Sequence, residues 1–332
     1  MSTLFDAMPG VVMPVADVMK TLSRMWQSDA VQAGHEAPSA FRASQMNLVL
    51  QFGLSTLAEE ANGVFEQAIK FAQVYPCRIV VLCPLKEGNH DMFLQGKLFS
   101  QCYIGASARE MCCCEALVLG YPVNGVGFLE NQVSVWLEND LPVYHWLHRV
   151  PARRVDELYL PYFKLCTRVV YDSTIEGPEY GKIHWPKPES VMDLAYARLL
   201  PSRQSIGQFL SSYPPLLLVQ DLLRVECRHA VENDTEAENL LRWQEGCLSQ
   251  CAKLTKEYSD VGFSALPLDA ASPNAIEVEW KYDGGKKYFR WSHAKKSDCV
   301  NISADFGKGP VELPQQVKPM LTERVLAEAL FF

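Results

Sequence analysis

Three consecutive cysteines, Cys112, Cys113 and Cys114, stand beside Glu115 in the stretch Arg109–Leu119. From Cys112 to Leu119 every residue but Glu115 is apolar, the pattern of a strand buried inside a sheet. Side chains alternate along a strand, so Cys112 and Cys114 face one way and Cys113 and Glu115 the other. These thiols are the redox candidates of the chain, although the commonest use of a buried cysteine is as a small hydrophobe. The triplet cannot bridge to itself, because Cys112 and Cys114 would stand roughly 6.6 Å apart and parallel. A disulfide would need Cys77, Cys83, Cys102 or another chain.

Other chemistry is incomplete. Asn124-Gly125-Val126-Gly127-Phe128-Leu129-Glu130 falls between a strand and a helix, where a dinucleotide fingerprint belongs. Its third glycine position is Glu130, a carboxylate in the first helical turn, where a pyrophosphate needs the positive end of the dipole. Gly125, Gly127 and Arg149, with Arg153 and Arg154, therefore form the alternative reading, an NADP-binding α/β protein. Gly105-Ala106-Ser107-Ala108-Arg109 fails the nucleophile-elbow pattern at its last position, and no P-loop is present. The seven histidines fall in unrelated contexts. His145, on a strand, reads as a hydrogen-bonded core or rim residue. Cys247 and Cys251 share a helix face, but no second pair completes a zinc site. The expectation is no catalytic residue, no cofactor and no metal.

Basic residues interleave with aromatics from Trp280 to Trp291, which can make a nucleic-acid platform. A half-buried hairpin that turns its cations to water gives the same pattern. A net charge of −8 favours that second reading and supplies no footprint for nucleic acid or an anionic membrane. No run approaches the ~18 apolar residues that span a bilayer. The start lacks a basic n-region, and eleven irregularly spaced cysteines do not form a secreted framework. The expected location is cytoplasmic.

The elements that must position these residues follow from periodicity. A helix is expected over 14–27, a strand over Met46–Phe52, a helix over Leu57–Val74 and a strand over Arg78–Cys83, together a βαβ unit. Lys97–Ile104 and Met111–Leu119 are too close for a crossover and must pair antiparallel. Phe128–Glu138 reads as helix, Leu141–Leu147 as strand, Val155–Phe163 as helix and Arg168–Tyr171 as strand. The fold class is α/β: a mixed sheet flanked by helices, Rossmann-like without a complete glycine fingerprint, followed by a smaller α+β domain.

The expected domains are 1–175 for the mixed-sheet part, 176–188 as a linker rich in proline and glycine, and 189–332 for the α+β part. In the latter, helices are expected at Ser190–Leu199, Arg203–Ser212 and Thr235–Lys256, with Thr235 as N-cap. A strand at Leu222–Arg228, a hairpin over Ile276–Trp291 turning at Asp283-Gly284-Gly285, a strand at Val300–Ile302 and a closing helix at Gln316–Leu330 complete it.

Several segments together resemble the glucose-6-phosphate dehydrogenase assembly protein (OpcA) family. They are Tyr75–Leu82, Arg109–Glu115, Asp140–Trp146, Arg168–Ser173 and Asp193–Leu199, in order across about residues 40–250. Tyr196 and Leu147 depart from the family's tryptophans, and the last eighty or so residues match loosely. The resemblance implies a non-catalytic assembly factor or allosteric activator of glucose-6-phosphate dehydrogenase in the oxidative pentose phosphate pathway, redox-linked in some members. Its partner-binding candidates are Asp140, Pro142, Trp146, Asp172, Ser173, Asp193 and Arg198. Asp140–Trp146 is expected at the carboxyl edge of the sheet, where α/β folds place functional loops.

Overall fold

A computed structural model describes residues 3–18, 20, 21, 24, 44–86, 95–104, 111–123, 133–137, 140–257 and 260–332, with backbone alone at 102–104 and 111–113. Most of the expected 14–27 helix, Gly125 and Gly127 lie outside the described residues. The chain divides into two compact units, Met1–Leu194 with Thr322–Phe332, and Ala195–Leu321.

The first unit is built on an eight-stranded sheet. Its strands are β1 (Val11–Met13), β2 (Met46–Phe52), β3 (Cys77–Leu85), β4 (Gln95–Ile104), β5 (Met111–Pro122), β6 (Val143–His148), β7 (Arg168–Tyr171) and β8 (Val191–Asp193), in the order β1-β4-β5-β3-β2-β6-β7-β8. From β5 to β8 every neighbouring pair is parallel. β4 runs antiparallel to both β5 and β1, as the short β4–β5 connection requires. All seven residues of β2 are buried, Asn47 and Gln51 included, as in a strand covered on both faces.

One face carries helices α1 (Leu4–Ala7), α2 (Ala58–Val74) and α5 (Thr322–Phe331). Helix α2 buries Ala61, Val64, Phe65, Ala68, Ile69, Phe71 and Ala72, the three-and-four spacing of a single stripe. Its four larger side chains contribute about 1.5–3 kcal/mol each by burial. Glu59 and Glu60 in its first turn suit the helix dipole. The other face packs Leu98, Leu117, Leu119 and Leu147 against Trp136, Val155, Tyr159 and Phe163.

The expected linker 176–188 is not a linker. Tyr180 and Ile183 are buried in this core, and a further strand, β8, follows where helix was expected. Helix resumes only at Leu194–Arg198. The closing helix starts at Thr322, and it belongs to the first unit, where Arg168 donates to the Ala329 carbonyl at 3.1 Å. The stretch around Val311–Gln316 is a strand instead.

The second unit holds a six-stranded sheet of β9 (Leu222–His229), β10 (Gly262–Pro267), β11 (Asn274–Tyr282), β12 (Tyr288–Ala294), β13 (Cys299–Asp305) and β14 (Val311–Gln316), ordered β10-β9-β11-β12-β13-β14. Helices α3 (Leu200–Leu210) and α4 (Asp234–Thr255) supply the covering residues Ile206, Phe209, Ala237, Leu240 and Leu248. Helix α4 begins at Asp234 with Asn233 as N-cap, so Thr235 is already inside it. Trp280, Tyr282, Phe289 and Trp291 are buried, whereas Arg290 is 62% exposed and pairs with Glu279. Four of the five hairpin aromatics are therefore core, Tyr288 is half-buried, and Arg290 faces water.

Candidate functional site

In an open parallel sheet the natural crevice lies at the carboxyl ends of the strands, where the chain winds first one way and then the other. Here β2 occupies that position, with β3 on one side and β6 on the other. The loop after β2 leads into α2, and β6 ends at His148, with Arg149 directly after it.

The two strand ends are closed onto each other. Gly53 donates its N–H to the His148 carbonyl at 2.8 Å. A Cβ built on Gly53 would lie 1.6 Å from the Arg149 carbonyl oxygen, so only glycine fits. Arg149 takes the left-handed conformation, φ +55°, uncommon for a residue with a side chain. Its Nε donates to both Glu60 carboxylate oxygens at 2.7 Å, and its backbone N–H donates to Glu176. His148 Nε2 lies 3.0 Å from Glu60.

The carboxyls of this cluster are driven apart by their surroundings. Burial alone would raise Glu60, but the Arg149 bond and the His148 charge outweigh it and hold the group below its ordinary value. Burial pushes Glu176 up to about 7, against the Arg149 N–H that favours its ionised form. Burial also lowers His148, partly offset by Glu60. The result is an ionised Glu60–Arg149 pair beside a carboxyl that titrates near neutrality.

Two strands further along, the ends of β7 and β8 are tied together. Asp172 accepts from the Thr174 N–H at 3.1 Å and the Thr174 hydroxyl at 2.6 Å, which starts the short helix Ser173–Glu176. Asp193 accepts from the Ser173 N–H at 2.9 Å and its hydroxyl at 2.5 Å. The structure thus brings Asp172, Ser173 and Asp193 to one edge, where each positions backbone.

The other candidates lie elsewhere. Asp140 and Pro142 precede β6, which runs parallel to β2, so they stand at the amino edge and not the carboxyl edge expected. There the Pro142 carbonyl accepts from Asn47 N–H at 2.9 Å. Trp146 is 3% exposed, inside the sheet between Leu50 and Val170, and presents no surface. Arg198 pairs with Glu236 at 3.3 Å. Cys114 is buried with its Sγ toward the Ile69 carbonyl, at 4.0 Å, and the side chains of Cys112 and Cys113 lie outside the described residues. His145 is core, 2.8 Å from Gln51, and burial pushes it down to about 3. No group of three metal-ligating side chains occurs among the described residues.

The sequence reading missed Glu60, His148 and Glu176. Its available signal was a histidine at the end of a parallel strand next to an acid-started helix, which becomes visible only once β2 and β6 are neighbours. As a nucleotide crevice the arrangement is poor. The Arg149 charge is held by Glu60, and the opening between β2 and β6 is filled by main chain.

Residues 68–183 match the family model described as the glucose-6-phosphate dehydrogenase subunit N-terminal domain, OpcA_G6PD_assem. This stretch is similar to the domain of the OpcA family. The matched OpcA-family residues all lie in the first unit and run from within α2 past β7. A protein of Synechocystis sp. (strain ATCC 27184 / PCC 6803 / Kazusa), provisionally named OxPP cycle protein OpcA, is 22% identical over 215 residues, 63% of this chain and 44% of its own length. The chain thus spans less than half of that OpcA relative. Among solved structures, dipicolinate-bound dihydrodipicolinate reductase from Paenisporosarcina sp. TG-14 has a TM-score of 0.34 at 11% identity, over 86% of this chain and 92% of that one. Aldose-aldose oxidoreductase from Caulobacter crescentus has the same TM-score at 8% identity, over 86% and 87%. At that score the likeness carries no weight for function.

Proposed function

We propose that this chain is a non-catalytic partner of glucose-6-phosphate dehydrogenase, which binds the enzyme and favours its assembled, active form. The observation that carries the reading is the match of residues 68–183 to a domain described as part of a glucose-6-phosphate dehydrogenase subunit. The carboxyl-edge cluster is consistent with it, since its charged groups are spent on each other and on backbone. A protein of this kind needs a docking face, and it changes activity only by as much as it prefers the active conformation of the enzyme. Such a partnership belongs to the cytoplasm and involves neither nucleic acid nor membrane. No described helix is long and apolar enough to cross one.

A redox link, where it operates, has to run through thiols that oxidants reach. Cys114 is not one of them, whereas Cys247 and Cys299 are exposed. The alternative, an NADP-binding protein, asks Arg149 to leave Glu60.

The test is to mix the full chain with glucose-6-phosphate dehydrogenase and follow elution and kinetics. A co-eluting complex with altered kcat or KM is expected, as is no heat when millimolar NADP is titrated into the chain alone. Independent elution with unchanged kinetics would overturn the reading, and a saturable NADP signal would favour the alternative.

A further inference from the structure

Among the described residues the edge of the first sheet is open beyond its N-terminal strand. β1 pairs with β4 at Val11↔Leu98, Val12↔Lys97 and Met13↔Gly96, whereas β4 continues to Ile104 with β5 on its other side. Among the described residues no strand pairs with Phe99–Ile104 on the β1 side. The N-terminal segment is committed elsewhere. Gly10, at φ +124°, turns against the Leu98 carbonyl, where a Cβ would lie 3.0 Å away. Buried Lys97 then anchors the residues before it, donating to the carbonyls of Phe5, Asp6 and Met8 at 2.7, 2.9 and 2.8 Å.

Long free edges invite another strand, and proteins usually blunt them with charge, proline or a bulge. From Leu98 to Ile104 the sequence holds neither charge nor proline. Its pairing with β5 runs unbroken from Gln95↔Gly120 to Ile104↔Met111, without a bulge.

Beside this edge, between α2 and β4, lies a groove of about 520 Å³. Phe65, Ile69 and Phe99 line it, with the two phenyl rings edge to face at 5.2 Å. Asn62, Gln73 and Gln101 add three carboxamides. Its charged lining is one acid and one base, Glu66 and Lys70, so it offers no net charge to an ionic ligand. Carboxamides over an apolar floor suit a peptide, whose backbone both donates and accepts.

We propose that an extended segment of a partner protein adds as a strand along Phe99–Ile104 of β4 and seats a bulky apolar side chain in this groove. Main-chain bonds along the edge would give affinity and the groove would give specificity. The inference rests on the docking function argued above and names the surface that performs it.

Alternate residues of an edge strand point their N–H outward, so one of Ser100→Pro and Gln101→Pro blocks the edge while leaving the β4–β5 ladder intact. The variant that keeps the wild-type thermal midpoint is that one. Gln73→Trp fills the groove from α2. With the full chain and glucose-6-phosphate dehydrogenase, affinity should fall tenfold or more in the fold-keeping proline variant and in Gln73→Trp. Amides of 99–104 should gain exchange protection in the wild-type complex. If both proline variants melt early, Gln73→Trp and the exchange pattern decide. A wild-type complex whose affinity moves less than twofold in the variants overturns the inference and leaves the docking function standing. Absence of any wild-type complex removes both. A dimer of the chain alone that the proline variant turns into monomer assigns the edge to a second copy and also overturns the proposal.

Discussion

Glu60 and Glu176 both bond Arg149, yet one is held ionised and the other titrates near neutrality. The difference is their surroundings: Glu60 has the guanidinium and a histidine, whereas at Glu176 burial outweighs the Arg149 N–H and the Tyr180 hydroxyl. Native Glu176 holds its proton up to about 7, whereas an unfolded glutamate releases it near 4.5. Between those values the folded chain binds more protons, so stability from this group falls as pH rises through that window. Glu176→Gln, neutral throughout, should match the wild type near the lower end and exceed it by up to about 3 kcal/mol at alkaline pH. Thermal midpoints across a pH series test this, and curves that stay parallel would refute it. None of this could be read from residue types, because the proton affinity of Glu176 is raised by burial, which only the folded chain creates.

At the scale of elements, the strand ends of β2 and β6 act as one unit. Gly53 is the only residue type that permits their approach, and the left-handed Arg149 aims its side chain back at α2. Gly53→Ala should cost on the order of 4 kcal/mol or more, since its Cβ meets main chain and not a movable side chain. Soluble yield and thermal midpoint would show it, and a midpoint within a degree or two of wild type would refute the packing argument. The strands themselves were legible: Met46–Phe52 and Arg168–Tyr171 fall where their runs of apolar residues put them. β8 was not, because its Val191–Asp193 is three residues long and half-buried, too short to show any period. β14 was hidden for a related reason, as nearly all its residues are exposed.

At the scale of the whole molecule, the first unit is discontinuous in sequence. Its last helix returns from residue 322 to bury Val325, Leu326 and Leu330, and Phe331 packs against Phe71, Tyr75 and Tyr144. Removing 322–332 should cost the first unit on the order of 5 kcal/mol through lost apolar burial. Hydrogen exchange should quicken in α2 and β7 while the second-unit strands keep their protection. Uniform protection in the truncated chain would argue that the helix contributes little.

The sequence by itself determined the mixed α/β class, the antiparallel β4–β5 pair, the inward aromatics of the hairpin and the resemblance to the OpcA family. Each of these is written in short-range periodicity or in contiguous motifs. Only the tertiary structure decided that Trp146 is core, that Asp140 and Pro142 sit at the amino edge, that Glu60, His148, Arg149 and Glu176 meet, and that β4 extends past β1 with no further strand beside it among the described residues. Periodicity reports which face of an element is buried. Which strand lies beside it, and in which direction, is fixed by pairing between residues far apart in the chain.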